Sequence, residues 1–405
     1  MRFTSVTSHQ RHSLGAIREI VAALETHLVE DGVSPDMLLL FATQDHARRM
    51  REVVEVLREA WPQAQVLGAT AAGIIHSAGR STDRGAMTVM AGELPGVKIA
   101  PILMELENLA EPEVALEKWR DLLELVPDPQ LMILLADPFS TPVGDLLESL
   151  NMLAPGVPVI GGLASGGRRP GYNVLVLNDA LRRSGLVGVA LAGNIRADVI
   201  VSQGCRPIGR SFTVTKAERN VIQELNGVPA MRALQDMVAG LPSEEQHLLQ
   251  EGLMFGQAVQ DAHVQQGRGD FLIRPVVAVD QKEGTISLAG EVGVGRTIRF
   301  HAWDDTLAED LQMLLLPQIV ESPAAGGFLV GSWPRVGASE GQPIQQIIRT
   351  LGYRVPMAGL LSAGEIGPIR GLNYLHMHTA TLALLRPAAS MPREILRVDV
   401  VRHVE

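Results

Sequence analysis

At 405 residues the chain is long enough for two or three separate cores, and 46% hydrophobic residues with a mean hydropathy of +0.15 exclude a disordered protein. A net charge of −10, with arginines scattered rather than striped, argues against nucleic-acid or anionic-membrane partners, both of which need a basic face. One cysteine excludes an internal disulfide, Met1–Val6 carries no apolar leader, and no apolar run nears the ~20 residues of a membrane span, so a soluble cytoplasmic protein is expected.

In chain order, three segments share one design. The first runs from an apolar strand at Met37–Ala42 through a helix near Asp45–Glu59 to Gln65–Gly68. The second runs from Leu131–Ala136 through a helix near Pro142–Leu153 to Pro158–Gly162, and the third from Phe328–Gly331 through a helix near Pro343–Leu351 to Val355–Gly359. Each spans about 30 residues, which suits a βαβ unit. Ile344, Ile347, Ile348 and Leu351 fall on one helical face, Thr141-Pro142 reads as a helix start, and Gly352 reads as a stop. Gly68, Gly161-Gly162 and Gly359 are expected in turns that close the strands. Strand-like text follows each closing turn, at Ala86–Ala91, at Asn173–Leu177 with Leu186–Ala192, and at Tyr374–His378 with Thr379–Leu385.

Between the second and third segments the texture changes. Asp270–Val279, Thr285–Ala289 and Thr297–Phe300 read as antiparallel strands with a turn at Lys282-Glu283-Gly284, and a helix is expected from Asp304 towards Leu316. The fold class is therefore α/β and α+β: repeated strand-helix-strand-hairpin units forming mixed sheets covered by helices, in two closely packed parts, 1–218 and 219–405.

Two glycine-rich motifs carry the conspicuous chemistry. Gly204-Cys205-Arg206-Pro207-Ile208-Gly209 sets a lone thiol beside a guanidinium, which favours the thiolate; the competing reading is a buried apolar cysteine. Gly364-Glu365-Ile366-Gly367-Pro368 sets a carboxylate on a turn, able to grip an ammonium group or to lock the turn by accepting backbone N–H bonds. His376 and His378 are expected on one face of a strand, flanked by Asn373 and Thr379. They lack a third ligand for a metal, and no cofactor motif is read. Gly161-Gly162 and Ser165-Gly166-Gly167 lack the ending of a phosphate loop, while Arg168 and Arg169 either attract an anion or face solvent.

Four blocks in combination, GCRPIG, Thr213–Ala230, Met254–Asp261 and Ala358–Pro368, resemble the FIST family, with its N-terminal and C-terminal parts. The resemblance covers roughly residues 35–387. It departs from the family's pattern at Ser332-Trp333-Pro334-Arg335, where a cysteine is missing, and at Gly68–Ile74, which has neither cysteine nor acid. The resemblance implies a sensory module in signal transduction that binds a small ligand, with amino acids the suggested class. On that reading Arg206 or Arg335 meets the ligand carboxylate, Glu365 meets its ammonium, and Asn373 and His376 add directional bonds, with Cys205 at the same cleft between the two parts. No output domain is read in the sequence, so a sensor of this kind is expected to signal through a separate partner, the alternative being a diverged relative with another task. Two rivals stay open: a Cys- or Glu/His-dependent hydrolase or transferase, and a protein-interaction scaffold.

Overall fold

The three apolar strands expected from the sequence, Met37–Thr43, Leu131–Ala136 and Gly326–Ser332, each lie inside a six-stranded sheet. A computed structural model of the chain describes residues 1–31, 34–105, 112–249, 252–259, 269–303, 315, 324–332, 342–351 and 353–388. Each central strand is buried on both faces, which is why it reads as a continuous apolar run rather than an alternating one. Alternate side chains still part company. Leu39 and Phe41, Ile133 and Leu135, and Phe328 and Val330 point into one shared core, where the rings of Phe41 and Phe328 stack 5.6 Å apart. Leu38 and Leu40, Met132 and Leu134, and Leu329 point outward, under the helices.

The three sheets have the same strand order. An outer strand (Arg2–Ser8, Val97–Met104, Arg196–Ser202) pairs with a returning strand (Met87–Glu93, Leu186–Gly193, Ala380–Arg386). That strand pairs antiparallel with the central one, which pairs in parallel with the strand after its helix, Gln65–Ala71, Val159–Leu163 or Met357–Ser362. The last position in each sheet is filled by a hairpin from another unit. The first unit's hairpin, Ile74–His76 with Gly79–Ser81, joins the third sheet; the second's, Leu175–Leu177 with Ala180–Arg182, joins the first; the third's, Glu365–Ile369 with Leu372–His376, joins the second. The exchange closes a ring with threefold pseudosymmetry inside one chain.

The hub of that ring is made of backbone hydrogen bonds. Thr70, Leu163 and Leu361 donate in turn to Val174 O, Gly364 O and Gly73 O at 2.8–2.9 Å. A second ring has two direct bonds, Ser165 N to Thr70 O at 3.3 Å and Ala363 N to Leu163 O at 3.2 Å. Its third member, between Ala72 N and Leu361 O, is bridged by the Ser165 hydroxyl, which accepts from the first and donates to the second.

Gly68, Gly161 and Gly359 occupy one equivalent position, opposite Leu40, Leu134 and Leu329. They lie within the second parallel strand of each unit, not in a closing turn as expected. A Cβ there would fall 2.2, 1.8 and 1.7 Å from the carbonyl oxygen of the facing leucine, so only glycine lets the two strands approach.

Helices Ser13–Asp31 and Met50–Ala60 cover the first sheet, Pro112–Leu125 and Val143–Leu153 the second, and Gln342–Thr350 the third. Ile344, Ile347, Ile348 and Leu351 are buried as the periodicity requires; each contributes about 1.5–3 kcal/mol relative to exposure. The first of the expected helices opens as a 3-10 turn, Gln44–Arg49, before becoming α-helical at Met50. Thr141 does not cap the second, because its hydroxyl donates to Gly185 O at 2.8 Å and Pro142 holds the cap position. The expected helix from Asp304 and the stop at Gly352 lie outside the described residues, apart from Leu315, which is buried on the third sheet.

The antiparallel strands of the changed texture form a barrel inserted after the outer strand of the third unit. Cys205–Glu218, Thr297–Trp303, Leu253–Ala258, Phe271–Asp280, Thr285–Leu288 and Val221–Leu225 pair in that order, and the last pairs with the first. Phe212, Phe255 and Phe300 meet edge to face in its core, under helix Ala230–Ala239. The expected division at 218/219 falls between two paired barrel strands, where Glu218 faces Val221.

Candidate functional site

The hairpin Glu365–Ile369 with Leu372–His376 is where the barrel meets the three-unit body. It docks on Gly161 and Gly162, and strand Phe271–Asp280 reaches it from the other side: Arg274 Nη1 donates to Leu375 O at 3.0 Å. At the hairpin tip Arg370 makes a two-pronged ion pair with Asp270, at 2.5 and 2.6 Å.

Glu365 and His376 face each other on the first rung of this hairpin and are fully buried. One Glu365 oxygen accepts the Thr379 N–H at 3.0 Å, holding the turn that leads into the returning strand. The His376 ring bonds Gly367 O through Nε2 at 3.0 Å, so that nitrogen carries the proton. Its Nδ1 is therefore an acceptor, and no donor among the described residues reaches it. Burial pushes the His376 pKa down to about 4, with the nearby Arg274 charge acting in the same direction against the Gly367 bond. The ring is neutral at pH 7.

Two further groups border the same place. Thr381 Oγ1 is buried with no hydrogen-bond partner among the described residues, and a Cβ on Gly367 would lie 3.2 Å from it. Arg274 bonds two backbone carbonyls, Leu375 O and its own neighbour Ile273 O, and has no carboxylate partner among the described residues. Desolvation pulls its pKa down to about 10. Among the described residues the junction thus holds a cation without a carboxylate partner, a buried carboxylate, and two buried polar atoms without hydrogen bonds.

The residues singled out in the sequence fare differently. Cys205 opens the first barrel strand and packs among Met254, Ala258, Phe271 and Ile273. It is near the hairpin in topology: Ser202, just before it, pairs with Ala380, next to the Thr379 that Glu365 holds. Arg206 follows on the barrel strand, partly buried opposite Ala302, and Arg335 lies outside the described residues. Asn373 is fully engaged in docking the hairpin. Its Oδ1 accepts from Val159 N at 2.8 Å, while its Nδ2 donates to Val157 O at 2.9 Å and Asn151 Oδ1 at 3.1 Å. His378 is not on the strand with His376; it sits in the following turn at φ 60°. Among the described residues no group of His, Cys, Asp and Glu is placed to hold a metal ion.

Arg274 and Thr381 escaped the sequence reading. The available signal was weak: a single arginine inside the apolar run Phe271–Val279 and a threonine inside Ala380–Leu385. The pseudosymmetry supplies a stronger one. The rung equivalent to Glu365–His376 is Ile74–Ser81 in the first hairpin and Leu175–Arg182 in the second. Only the third copy pairs a carboxylate with an imidazole.

The FIST N domain profile matches residues 36–228 and the FIST C domain profile residues 230–368. An uncharacterised protein of Mycobacterium tuberculosis is 34% identical over 376 residues, covering 91% of this chain and 96% of its own length. An uncharacterised protein of Mycobacterium bovis is 33% identical over 359 residues, covering 87% and 91%. The chain belongs to the FIST family. FIST domains are generally regarded as small-ligand sensory modules of signalling proteins. The FIST N match starts after the first unit's outer strand and first helix, takes in the rest of that unit, the second unit and the outer strand of the third, and the join at 228/230 falls inside the barrel region, just before helix Ala230–Ala239. The Glu365–His376 hairpin therefore straddles the end of the FIST C match while docking on a FIST N strand. No helix of the described residues is long and apolar enough to cross a membrane.

Proposed function

We propose that this FIST protein is a non-catalytic sensor that binds one small, amino-acid-like molecule at the junction of the barrel with the Glu365–His376 hairpin. The observation that carries the reading is Arg274, a partly buried guanidinium that has no carboxylate partner among the described residues and lies beside an imidazole whose Nδ1 accepts from none of them. A desolvated charge without a counter-ion is costly, and a ligand carboxylate at Arg274 offsets that cost through a two-pronged bond. The ammonium of the same ligand donates to His376 Nδ1 and is balanced by the Glu365 carboxylate, with Thr381 Oγ1 as a further acceptor. Arg274 thus takes the role expected of Arg206 or Arg335, and Asn373 sets the hairpin in place rather than touching ligand. Cys205 sits in an apolar cluster, which lends the thiol-enzyme reading no support. A lone cysteine suits a reducing cytoplasm, and the signal passes to a separate partner.

Thermal unfolding across a panel of L-amino acids, with mass spectrometry of whatever the denatured protein releases, tests the proposal. A true ligand at 100 times its Kd adds about 2.7 kcal/mol of stability. Glu365→Gln should remove that response from a protein that still folds. If no panel member at millimolar concentration shifts the transition and no small molecule is released, the proposal fails.

A further inference from the structure

The three units differ most at one crossover. Between the second parallel strand and the hairpin, the first unit has Ala72-Gly73 and the third has Ala363-Gly364, whereas the second has residues 164–174. The longer segment is held in a fixed shape. Asn173 is buried, accepts Gly167 N at 3.0 Å and donates to Asp137 Oδ1 at 3.2 Å. Gln44 Nε2 donates to Tyr172 O at 2.5 Å, and Arg183 Nη1 donates to Gly171 O at 2.9 Å. The other Asp137 oxygen accepts Phe139 N at 3.2 Å, so Phe139 and Asn173, the neighbour of Tyr172, are tied through one buried carboxylate.

What this scaffold displays is unusual for the chain. Phe139 is 44% exposed and Tyr172 54% exposed, in a protein with 4% aromatic residues. Arg168 and Arg169 are exposed; the Arg169 carbonyl accepts Tyr172 N at 3.3 Å, while neither guanidinium has a hydrogen bond or ion pair among the described residues. Residues 164–183 carry four arginines against the single Asp179, although the whole chain has a net charge of −10. Exposed aromatic side chains beside arginines are the composition of a protein-binding hot spot.

We infer that the 164–174 loop, with Phe139, is a docking surface for an acidic, partly apolar segment of another protein. The mixture of side chains decides the class of partner. Arg168 and Arg169 take carboxylates while Phe139 and Tyr172 take apolar side chains, which an acidic, partly apolar peptide supplies together. The inference stands on these residues alone and does not depend on a ligand being bound at the hairpin junction. It gives the sensor a place to contact the separate protein that carries its signal.

The test uses the full chain and fluorescence anisotropy with two labelled probes: a short peptide in which glutamate alternates with leucine, and its glutamine isostere. The acidic peptide should bind and the isostere should not, with binding weakening as salt rises. Arg168→Glu with Arg169→Glu should weaken binding by about tenfold or more, and Phe139→Ser with Tyr172→Ser should do likewise. Arg120→Glu, an exposed site on helix Pro112–Leu125, should change it by less than about twofold. Equal losses at Arg120, no binding of the acidic peptide, or tighter binding of a single-stranded oligonucleotide of equal charge would each overturn the inference.

Discussion

His376 lies across the first hairpin rung from Glu365, and burial keeps its ring neutral even beside that carboxylate. His301, in the barrel against Phe271 with centroids 4.9 Å apart, is likewise held down to about 4, chiefly by burial. Both rings titrate near 6.5 once the chain unfolds, so below that pH the unfolded state binds more protons and stability falls with pH. Above pH 6.5 neither ring contributes a slope. Between about pH 6.5 and 5, each should remove about 1.4 kcal/mol per pH unit. Urea midpoints at pH 7.5, 6 and 5 measure this, and His376→Gln should remove about half of the slope. A midpoint that stays flat to pH 5 would contradict the buried neutral rings.

Gly68, Gly161 and Gly359 predict a matched set of defects. Alanine at any of them drives a methyl group onto a backbone carbonyl that belongs to a central strand and cannot rotate away. Each single substitution should cost about 3 kcal/mol or more, beyond ordinary overpacking. Gly144, in helix Val143–Leu153 with nothing within 4 Å of its would-be Cβ, is the control; alanine there should stabilise by about 0.5–1 kcal/mol. Chemical denaturation of the four variants separates the two classes. Three mild effects would mean that the strands can part without penalty.

Much of this architecture was legible because its signals are local. Runs such as Leu131–Ala136 and the helical face of Ile344, Ile347, Ile348 and Leu351 are set by neighbours a few residues away, and three copies of one pattern reinforce each other. The hairpin exchange was not legible, since nothing in Glu365–Ile369 says that its partner is Val159–Leu163 rather than its own preceding strand. The glycines were seen but misplaced: glycine density reads as a turn, whereas here it marks close strand approach. At the site, Glu365 stood out as the one carboxylate in a glycine-rich motif and His376 as one of two histidines spaced for one face of a strand. Arg274 did not, because its meaning depends on a carbonyl, Leu375 O, that is distant in sequence. Asn373 drew notice for the right chemistry, but that chemistry is spent on Asn151, Val157 and Val159.

The Asn151–Asn373 pair should behave as a clamp. Asn151 Nδ2 donates to Asn373 O at 2.9 Å, while Asn151 Oδ1 accepts Asn373 N at 2.8 Å. Asn373→Ala also strands Val159 N and Val157 O, and should cost about 2–4 kcal/mol. Asn151→Ala should cost less, and the double variant should cost less than the sum of the two. Ligand response, measured where each variant is folded, should persist. Loss of response without loss of stability would return Asn373 to the ligand.

Arg274 should show the opposite pattern, and the contrast distinguishes a binding group from a rivet. Its guanidinium is desolvated, has no carboxylate partner among the described residues, and bonds the carbonyls of Ile273 and Leu375. Replacing such a charge with an apolar side chain of similar length is often neutral or stabilising. Arg274→Met should therefore leave the unliganded protein as stable as before, or up to about 2 kcal/mol more so. It should also abolish the stabilisation that an amino-acid-like ligand confers. Arg274→Lys keeps a charge but loses the planar fork, so it should retain only part of the response. Paired melts with and without ligand read all three proteins. If Arg274 instead fastens the barrel to the hairpin, Arg274→Met will lower the unliganded transition and leave the ligand shift intact, and the carboxylate assignment will have to be abandoned.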